Sequence, residues 1–457
     1  MIPDHIFREY DIRGLHASEL TDEVAEAVGR AFGTRVRREG GSRIALGYDV
    51  RPSSVRLVAG VEKGLLRSGL QVERLGVVPT PAVYYAVSQL SVDAGLQVTG
   101  SHNPPEFNGF KMTKKKQPVF GAEIQEMRGM IARGDLDDRP GGSAVDHPVL
   151  DRYRDMLVER CRPSRGIQVV MDCGNGCAGT VTPEVFERMG HRVTTLFPEL
   201  DGTFPNHLAD PTVPKLLEDL IAEVKRTGAE LGIGFDGDAD RIGAVDANGR
   251  IVFGDQLLAL FARDVLTRVP GGEIVFDVKC SQALIEDIAA HGGKPSMWKT
   301  GHSLLKSRLQ ETGAPLAGEM SGHIFFQEGY FGYDDALFAA GRLLRYIASG
   351  TQSLAELVDT LPRYVSTPET RLPCPEEKKF AIVDTLRQEF AAKYRVIDID
   401  GVRVEFGDGW GLARASNTQA VVVVRFEAKT AARLEEIRET FMTPLRRLGV
   451  DDRAVAH

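Results

Sequence analysis

Short apolar runs that end in aspartate recur along the chain: Arg43-Ile44-Ala45-Leu46-Gly47-Tyr48-Asp49, Ile167-Gln168-Val169-Val170-Met171-Asp172 and Glu273-Ile274-Val275-Phe276-Asp277. Each has the length and apolar continuity of a strand buried on both faces, and each precedes a helix-compatible stretch. A second strand follows a Gly-rich turn in each case: Leu70 to Leu75, His191 to Leu196, and a weaker Lys294 to Trp298. A third apolar run then ends at Ser101, at Asp236 and, after Ala314-Pro315-Leu316-Ala317, at the loop Gly318-Glu319-Met320-Ser321-Gly322-His323. Three copies of one α/β unit are expected. Ligands of open α/β sheets sit beyond the carboxyl ends of strands. A serine, an acidic loop and a Glu-Ser-His loop thus hold equivalent places, and they converge if the three units face one cleft.

The pattern changes after a stretch holding Pro362, Pro368, Pro373 and Pro375. A helix-like segment, Lys378 to Tyr394, precedes the alternating run Val396 to Phe406, in which Asp400-Gly401 signals a hairpin turn. A strand from Ala420 to Phe426 and an amphipathic helix from Thr430 to Leu448 complete a smaller α+β domain. The expected division is 1–146, 147–249, 250–364 and 365–457. A further linker signal falls between Gly134 and Ser143, whereas the boundary near Gly249 has no break in composition.

Composition narrows the function classes. At 457 residues the chain exceeds one hydrophobic core, and 42% hydrophobic with 26% charged residues is ordinary for a globular protein. A net charge of -8 argues against a nucleic-acid surface, which needs a basic footprint. No run of about 18 apolar residues is present and Met1-Ile2-Pro3-Asp4-His5 lacks a signal peptide's regions, so no membrane partner and a cytoplasmic setting are expected. Five scattered cysteines (Cys161, Cys173, Cys177, Cys280, Cys374) suit a reducing compartment.

Beside the Glu-Ser-His loop, three motifs carry chemistry. Thr99-Gly100-Ser101-His102-Asn103-Pro104-Pro105 displays a serine on a turn, where it can carry a covalent group. Asp236-Gly237-Asp238-Ala239-Asp240-Arg241 offers alternating carboxylates to a small hard cation such as Mg²⁺. It is no EF-hand, because the sixth and twelfth positions from Asp236 are Arg241 and Ala247 rather than Gly and Glu. Arg414-Ala415-Ser416-Asn417-Thr418-Gln419 pairs a guanidinium fork with hydroxyls and an amide, equipment for a phosphate dianion. Gly174-Asn175-Gly176-Cys177-Ala178-Gly179 fits a dinucleotide fingerprint, with Glu199 about twenty residues on. An oxidoreductase would leave the other motifs without work, so these glycines are read as tight packing.

The serine, triple-Asp, Glu-Met-Ser-Gly-His and Arg-Ala-Ser-Asn-Thr motifs, in that order, closely resemble those of the α-D-phosphohexomutases, most of all the bacterial phosphomannomutase/phosphoglucomutase group. Phe7-Arg8-Glu9-Tyr10-Asp11-Ile12-Arg13-Gly14 matches too. The resemblance implies three related mixed α/β domains plus a C-terminal α+β domain like the TATA-box-binding protein, around a central cleft. It implies that Ser101 is a phosphoserine and that Mg²⁺ bridges it to Asp236, Asp238 and Asp240. Phosphoryl transfer then runs between C1 and C6 of mannose or glucose phosphates through a hexose 1,6-bisphosphate. Arg13, Lys111 and His323 are the candidate catalytic groups, His323 with an ordinary pKa of about 6.5 suiting proton transfer in either direction. Tyr10, Arg13, Arg241, Lys279, Thr300, Gly301, His302, Glu319, Met320, Ser321, Gly322 and His323 are expected at the sugar, and Arg414, Ala415, Ser416, Asn417 and Thr418 at the distal phosphate. A hinge is expected within Pro362 to Pro375. Two alternatives stand: a phosphoglucosamine mutase, whose sugar loop commonly has Gln where Met320 stands, and a non-catalytic sugar-phosphate-binding protein.

Overall fold

The structure, a computed structural model, describes residues 2–115, 117–416 and 420–450. Its first three sheets share one wiring. In the first, the strand Arg43–Tyr48 pairs in parallel with Gln71–Val77 on one side and Ala94–Val98 on the other, and Phe107–Lys114 returns antiparallel against Ala94–Val98. In the second, Gln168–Asp172, Arg192–Leu196, Leu231–Phe235 and the returning Ile242–Asp246 repeat that order. In the third it is Glu273–Asp277, Lys294–Trp298, Leu316–Gly318 and Ile324–Phe326. The repeat expected from the apolar runs is therefore present, and the third run of each unit forms a hairpin with a fourth strand.

That hairpin decides where chemistry appears. The turns 99–106, 236–241 and 319–323 each leave the carboxyl end of a parallel strand and must reverse direction at once. The inner parallel strands Arg43–Tyr48, Ala94–Val98, Gln168–Asp172, Leu231–Phe235, Glu273–Asp277 and Leu316–Gly318 are buried along nearly their whole length, which is why they read as unbroken apolar runs rather than alternating ones. Helices such as Pro52–Arg67 and Thr80–Gln89 supply the crossovers. One apolar cluster runs through all three units, from Ala45 and Tyr85 through Ile233 to Phe276 and Leu344, so they share walls. The two-residue strand Ile251–Val252, beyond residue 249, pairs with Ile242–Asp246 of the second sheet.

The fourth sheet has its own core, in which Val402, Val424, Phe426 and Phe441 are buried. The hairpin at Asp400-Gly401 forms, with Arg395–Ile397 antiparallel to Val402–Glu405. The strand Gly409–Ala415, which the apolar pattern did not reveal, lies at the centre of this sheet between Val402–Glu405 and Val421–Ala428. Much of the expected Pro-rich linker is not free chain. Val365–Ser366 and Thr370–Pro373 both hydrogen-bond to Val421–Ala428. Pro373 sits at the end of such an edge strand, where a missing N–H is tolerated. Among the described residues no helix is long and apolar enough to cross a membrane, and all five cysteines are unpaired and buried.

Candidate active site

Ser101 sits at a φ of 50°, the left-handed region, and is 2% exposed. Its backbone N–H donates to Thr99 Oγ1 at 2.9 Å, and its hydroxyl donates to Asp236 Oδ2 at 2.8 Å. The serine of the first unit and the acidic loop of the second thus meet directly. They meet closely, too: a Cβ on Gly237 would lie 2.5 Å from the Ser101 carbonyl oxygen, so only glycine fits there. Gly176 is equally constrained, since a Cβ there would lie 2.8 Å from the Gly237 carbonyl oxygen, to which Cys177 N–H donates at 2.9 Å. The Gly174 to Gly179 segment buttresses the acidic loop.

Asp236 Oδ1 accepts from the backbone N–H groups of Asp240 and Arg241 at 3.0 and 3.1 Å, which fixes the loop. Asp238 accepts from the Thr80 hydroxyl, while Thr80 N–H donates to the Asp238 carbonyl at 2.9 Å. Lys111, on the returning strand of the first sheet, donates to Asp238 Oδ2 at 2.8 Å and to Asp240. All three aspartates are fully buried. Burial next to Asp240 and Asp238 pushes the Asp236 carboxyl well up, whereas Lys111 and His323 overcome burial and hold Asp240 well down. Burial opposes charge on Lys111, yet Asp238 and Asp240 raise its pKa.

A divalent cation fits this group. One oxygen from each of Asp236, Asp238 and Asp240 lies within 4.8 Å of the others, and the buried Asp238 Oδ1 has no hydrogen-bond partner. An orphaned buried carboxylate oxygen is costly unless a ligand satisfies it. The surroundings also favour a dianion beside the serine. His102 Nδ1 lies 3.2 Å from Ser101 Oγ, and burial followed by the charges of Arg241, Arg13 and Lys111 depresses that imidazole well below its usual range. Burial alone would disfavour a dianion as well, but the charges of Arg241, Arg13 and Lys111 that add to the shift would attract one.

His323 differs from its expected behaviour. Its Nε2 is 3.2 Å from Asp240 Oδ1, and its Nδ1 is 2.7 Å from Glu319 Oε2. Burial disfavours the imidazolium, but Asp240 and Glu319 outweigh it and push the pKa up to about 9, not the 6.5 of a free imidazole. The ring holds a proton at neutrality. Glu319 is held down at about 2 despite burial, mainly by His323. Its Oε1 accepts from Gly301 N–H at 2.6 Å and its Oε2 from the Ser321 hydroxyl at 3.1 Å. Gly322 packs at Ile242, and Arg241 Nε approaches His323 Nε2 at 3.3 Å. The His302 ring stacks on that of His323 with centroids 5.3 Å apart.

The remaining expected residues form a rim. Gly301 has a φ of 135° and lies flat against Tyr10, whose hydroxyl donates to the Thr300 carbonyl at 2.8 Å. Arg13 donates to Asn103 Oδ1 at 3.0 Å and pairs with Asp11, so it braces the serine turn. Lys279 donates to Glu369 at 3.0 Å, and Arg425 donates to the Lys279 carbonyl and touches Met320 Sδ. Arg414, 8% exposed, has Nε 3.2 Å from Asp400 Oδ2. Ala415 and Ser416 are buried, and Asn417 and Thr418 lie outside the described residues. Sequence reasoning missed Thr80, Asp11, Asp400 and the Lys306–Asp334 pair at 2.9 Å behind His302. Only Thr80 carried a signal, following Pro79 at a strand end as a helix begins.

Four family models match in order: phosphoglucomutase/phosphomannomutase alpha/beta/alpha domain I over residues 4–136, domain II over 151–249, domain III over 253–364, and the C-terminal domain over 369–443. The chain belongs to the phosphoglucomutase/phosphomannomutase family. A phosphomannomutase/phosphoglucomutase of Pseudomonas putida is 46% identical over 98% of this chain and 96% of its own length. A phosphoglucomutase of Neisseria gonorrhoeae is 44% identical over 95% of each chain. A solved phosphoglucomutase/phosphomannomutase family protein of Burkholderia thailandensis superposes with a TM-score of 0.94 at 43% identity, covering 99% of both chains. Membership makes the chain a hexose phosphate mutase, an isomerase, with three α/β domains and a distinct C-terminal domain.

Proposed function

We propose that the chain interconverts the 1- and 6-phosphates of mannose and glucose in the cytoplasm, through phosphoserine at Ser101 and a hexose 1,6-bisphosphate. The observation that supports this reading is the 2.8 Å contact of Ser101 Oγ with Asp236 Oδ2, one of three buried carboxylates suited to a cation such as Mg²⁺. Asp236, Asp238 and Asp240 would hold that ion, which when bound neutralises charge on the transferring phosphoryl group.

The chain's own residues supply the rest. A free sugar hydroxyl attacks the phosphorus on Ser101, the P–Oγ bond breaks as Lys111 or His323, both protonated at neutrality, gives a proton to Oγ, and the hydroxyl proton then refills that donor. Arg13, Lys111 and Arg241 stabilise the charge on the equatorial oxygens. After the bisphosphate reorients, Ser101 takes back the other phosphoryl group and the proton returns. Glu319 and Ser321 suit paired sugar hydroxyls that remain readable in both orientations, and Arg414 with Ser416 suits the distal phosphate. Mannose and glucose differ only at C2, which this pair need not read. Unpaired buried cysteines fit a reducing compartment.

Glucose 1-phosphate, mannose 1-phosphate and glucosamine 1-phosphate assayed side by side test the assignment. The two neutral sugars should turn over at comparable rates, and a dominant rate with the amino sugar would overturn it. No turnover of any of the three would favour a sugar-phosphate-binding protein.

A further inference from the structure

Arg51 belongs to none of the groups above, yet its guanidinium is the hub of the serine turn. The side chain is wholly buried. Nε donates to Asp49 Oδ2 at 3.2 Å, Nη1 to the carbonyls of Pro104 at 2.6 Å and Phe107 at 3.1 Å, and Nη2 to those of Ser101 at 2.9 Å and Asn103. Those contacts use all five N–H donors of an arginine. The four carbonyls span both limbs of the turn that displays Ser101. Asp49 grips the entry limb as well, accepting from Thr99 Oγ1 at 2.8 Å and Gly100 N–H at 3.1 Å. Phe204 of the second unit covers the guanidinium, its ring centroid 5.0 Å away. A non-glycine residue at a φ of 50° persists only where its surroundings over-determine it.

We propose that Arg51 is a positioning residue for phosphoryl exchange at Ser101, holding the strained turn so that Oγ faces Asp236. The inference rests on the phosphoserine reading of the site. Lysine keeps the charge but carries three donors on one nitrogen and cannot span four carbonyls.

Arg51→Lys tests it, read by kcat and KM for glucose 1-phosphate, by intact mass after glucose 1,6-bisphosphate, and by amide hydrogen exchange over 99–107. The expected result is a fall in kcat of about 10²-fold, the scale of a 1 Å misplacement, with KM within about threefold. Phosphate uptake should slow by a similar factor, and exchange should rise over 99–107 while 231–246 stays protected. Parental kcat with parental exchange in the turn would overturn the proposal. So would loss of protection throughout the first sheet with KM and kcat failing together, which marks a purely structural role. Should Arg51→Lys fail to fold, Asp49→Asn takes its place, with the same measurements, the same expected changes and the same overturning results. A parent protein that takes up no phosphate sinks the phosphoserine reading by itself, and the exchange arm still decides the role of Arg51.

Discussion

The backbone N–H of Thr300 donates to Asp400 Oδ2 at 3.0 Å, and the same oxygen lies 3.2 Å from Arg414 Nε. One carboxylate therefore clasps the sugar-side loop of the third unit to the hairpin turn of the fourth and occupies the guanidinium proposed for the distal phosphate. Arg403 strengthens the dock by donating to the carbonyls of Val278 and Cys280, each at 2.8 Å, as does Glu427 by accepting from Gln282 N–H at 2.8 Å. These bonds hold the fourth unit against the third, and the expected hinge would fall on the few residues before Val365, since Val365–Ser366 and Thr370–Pro373 are hydrogen-bonded into the fourth sheet.

Asp400→Asn should loosen this clasp. Small-angle scattering is expected to give a larger radius of gyration for the ligand-free variant than for the parent, and the difference should vanish with saturating glucose 1-phosphate. Identical profiles with and without sugar phosphate in both proteins would count against the hinge.

Thr80 holds Asp238 from the first unit without belonging to the acidic loop. Partners of that kind orient a ligand, and their loss commonly costs about 10- to 100-fold in metal affinity. Thr80→Val should weaken Mn²⁺ binding, measured by calorimetry on the dephosphorylated protein, by about tenfold. Undiminished affinity would show that Asp238 needs no such support.

Ser101→Ala should remove more than about 10³-fold of turnover, because it deletes the hydroxyl proposed to store the phosphoryl group. Intact mass should show one phosphate on the parent after exposure to glucose 1,6-bisphosphate and none on the variant. Phosphate appearing on the variant would move the acceptor elsewhere.

His191 offers a pH dependence remote from the site. Its Nδ1 accepts from Ile167 N–H at 3.1 Å, and burial pulls its pKa down to about 4. The ring is neutral in the fold, so above about pH 6.5 it leaves stability unchanged with pH. Between about 6.5 and 4 the unfolded chain binds a proton that the folded chain refuses, and stability falls by at most about 1.4 kcal/mol per unit. His191→Gln, which can still accept from Ile167, should flatten that acid limb in Tm measurements. Parallel limbs for parent and variant would show that His191 does not set it.

What the sequence disclosed follows from burial. Strands covered on both faces, such as Leu231–Phe235, write continuous apolar runs, and their register exposed Ser101, Asp236 and Glu319 as equivalents. The central strand Gly409–Ala415 is as buried, but it reads Gly-Trp-Gly-Leu-Ala-Arg-Ala because Gly409 and Gly411 make room for Ile437 and Phe441 of the covering helix. Its composition imitates a loop. Arg51 escaped because its acceptors lie about fifty residues downstream, where only the folded turn brings their carbonyls together. The raised pKa of His323 was equally hidden, since it arises from Asp240 of another unit.

The fit of Gly237 beneath the Ser101 carbonyl has a bearing on exchange of parts between relatives. Two turns from separate units form one joint there, with no space for a methyl group between their main chains. A chimera that takes its first unit from one family member and its second from another must therefore inherit 99–107 and 236–241 as a matched pair. These two stretches are, in effect, a single heritable module split across the chain.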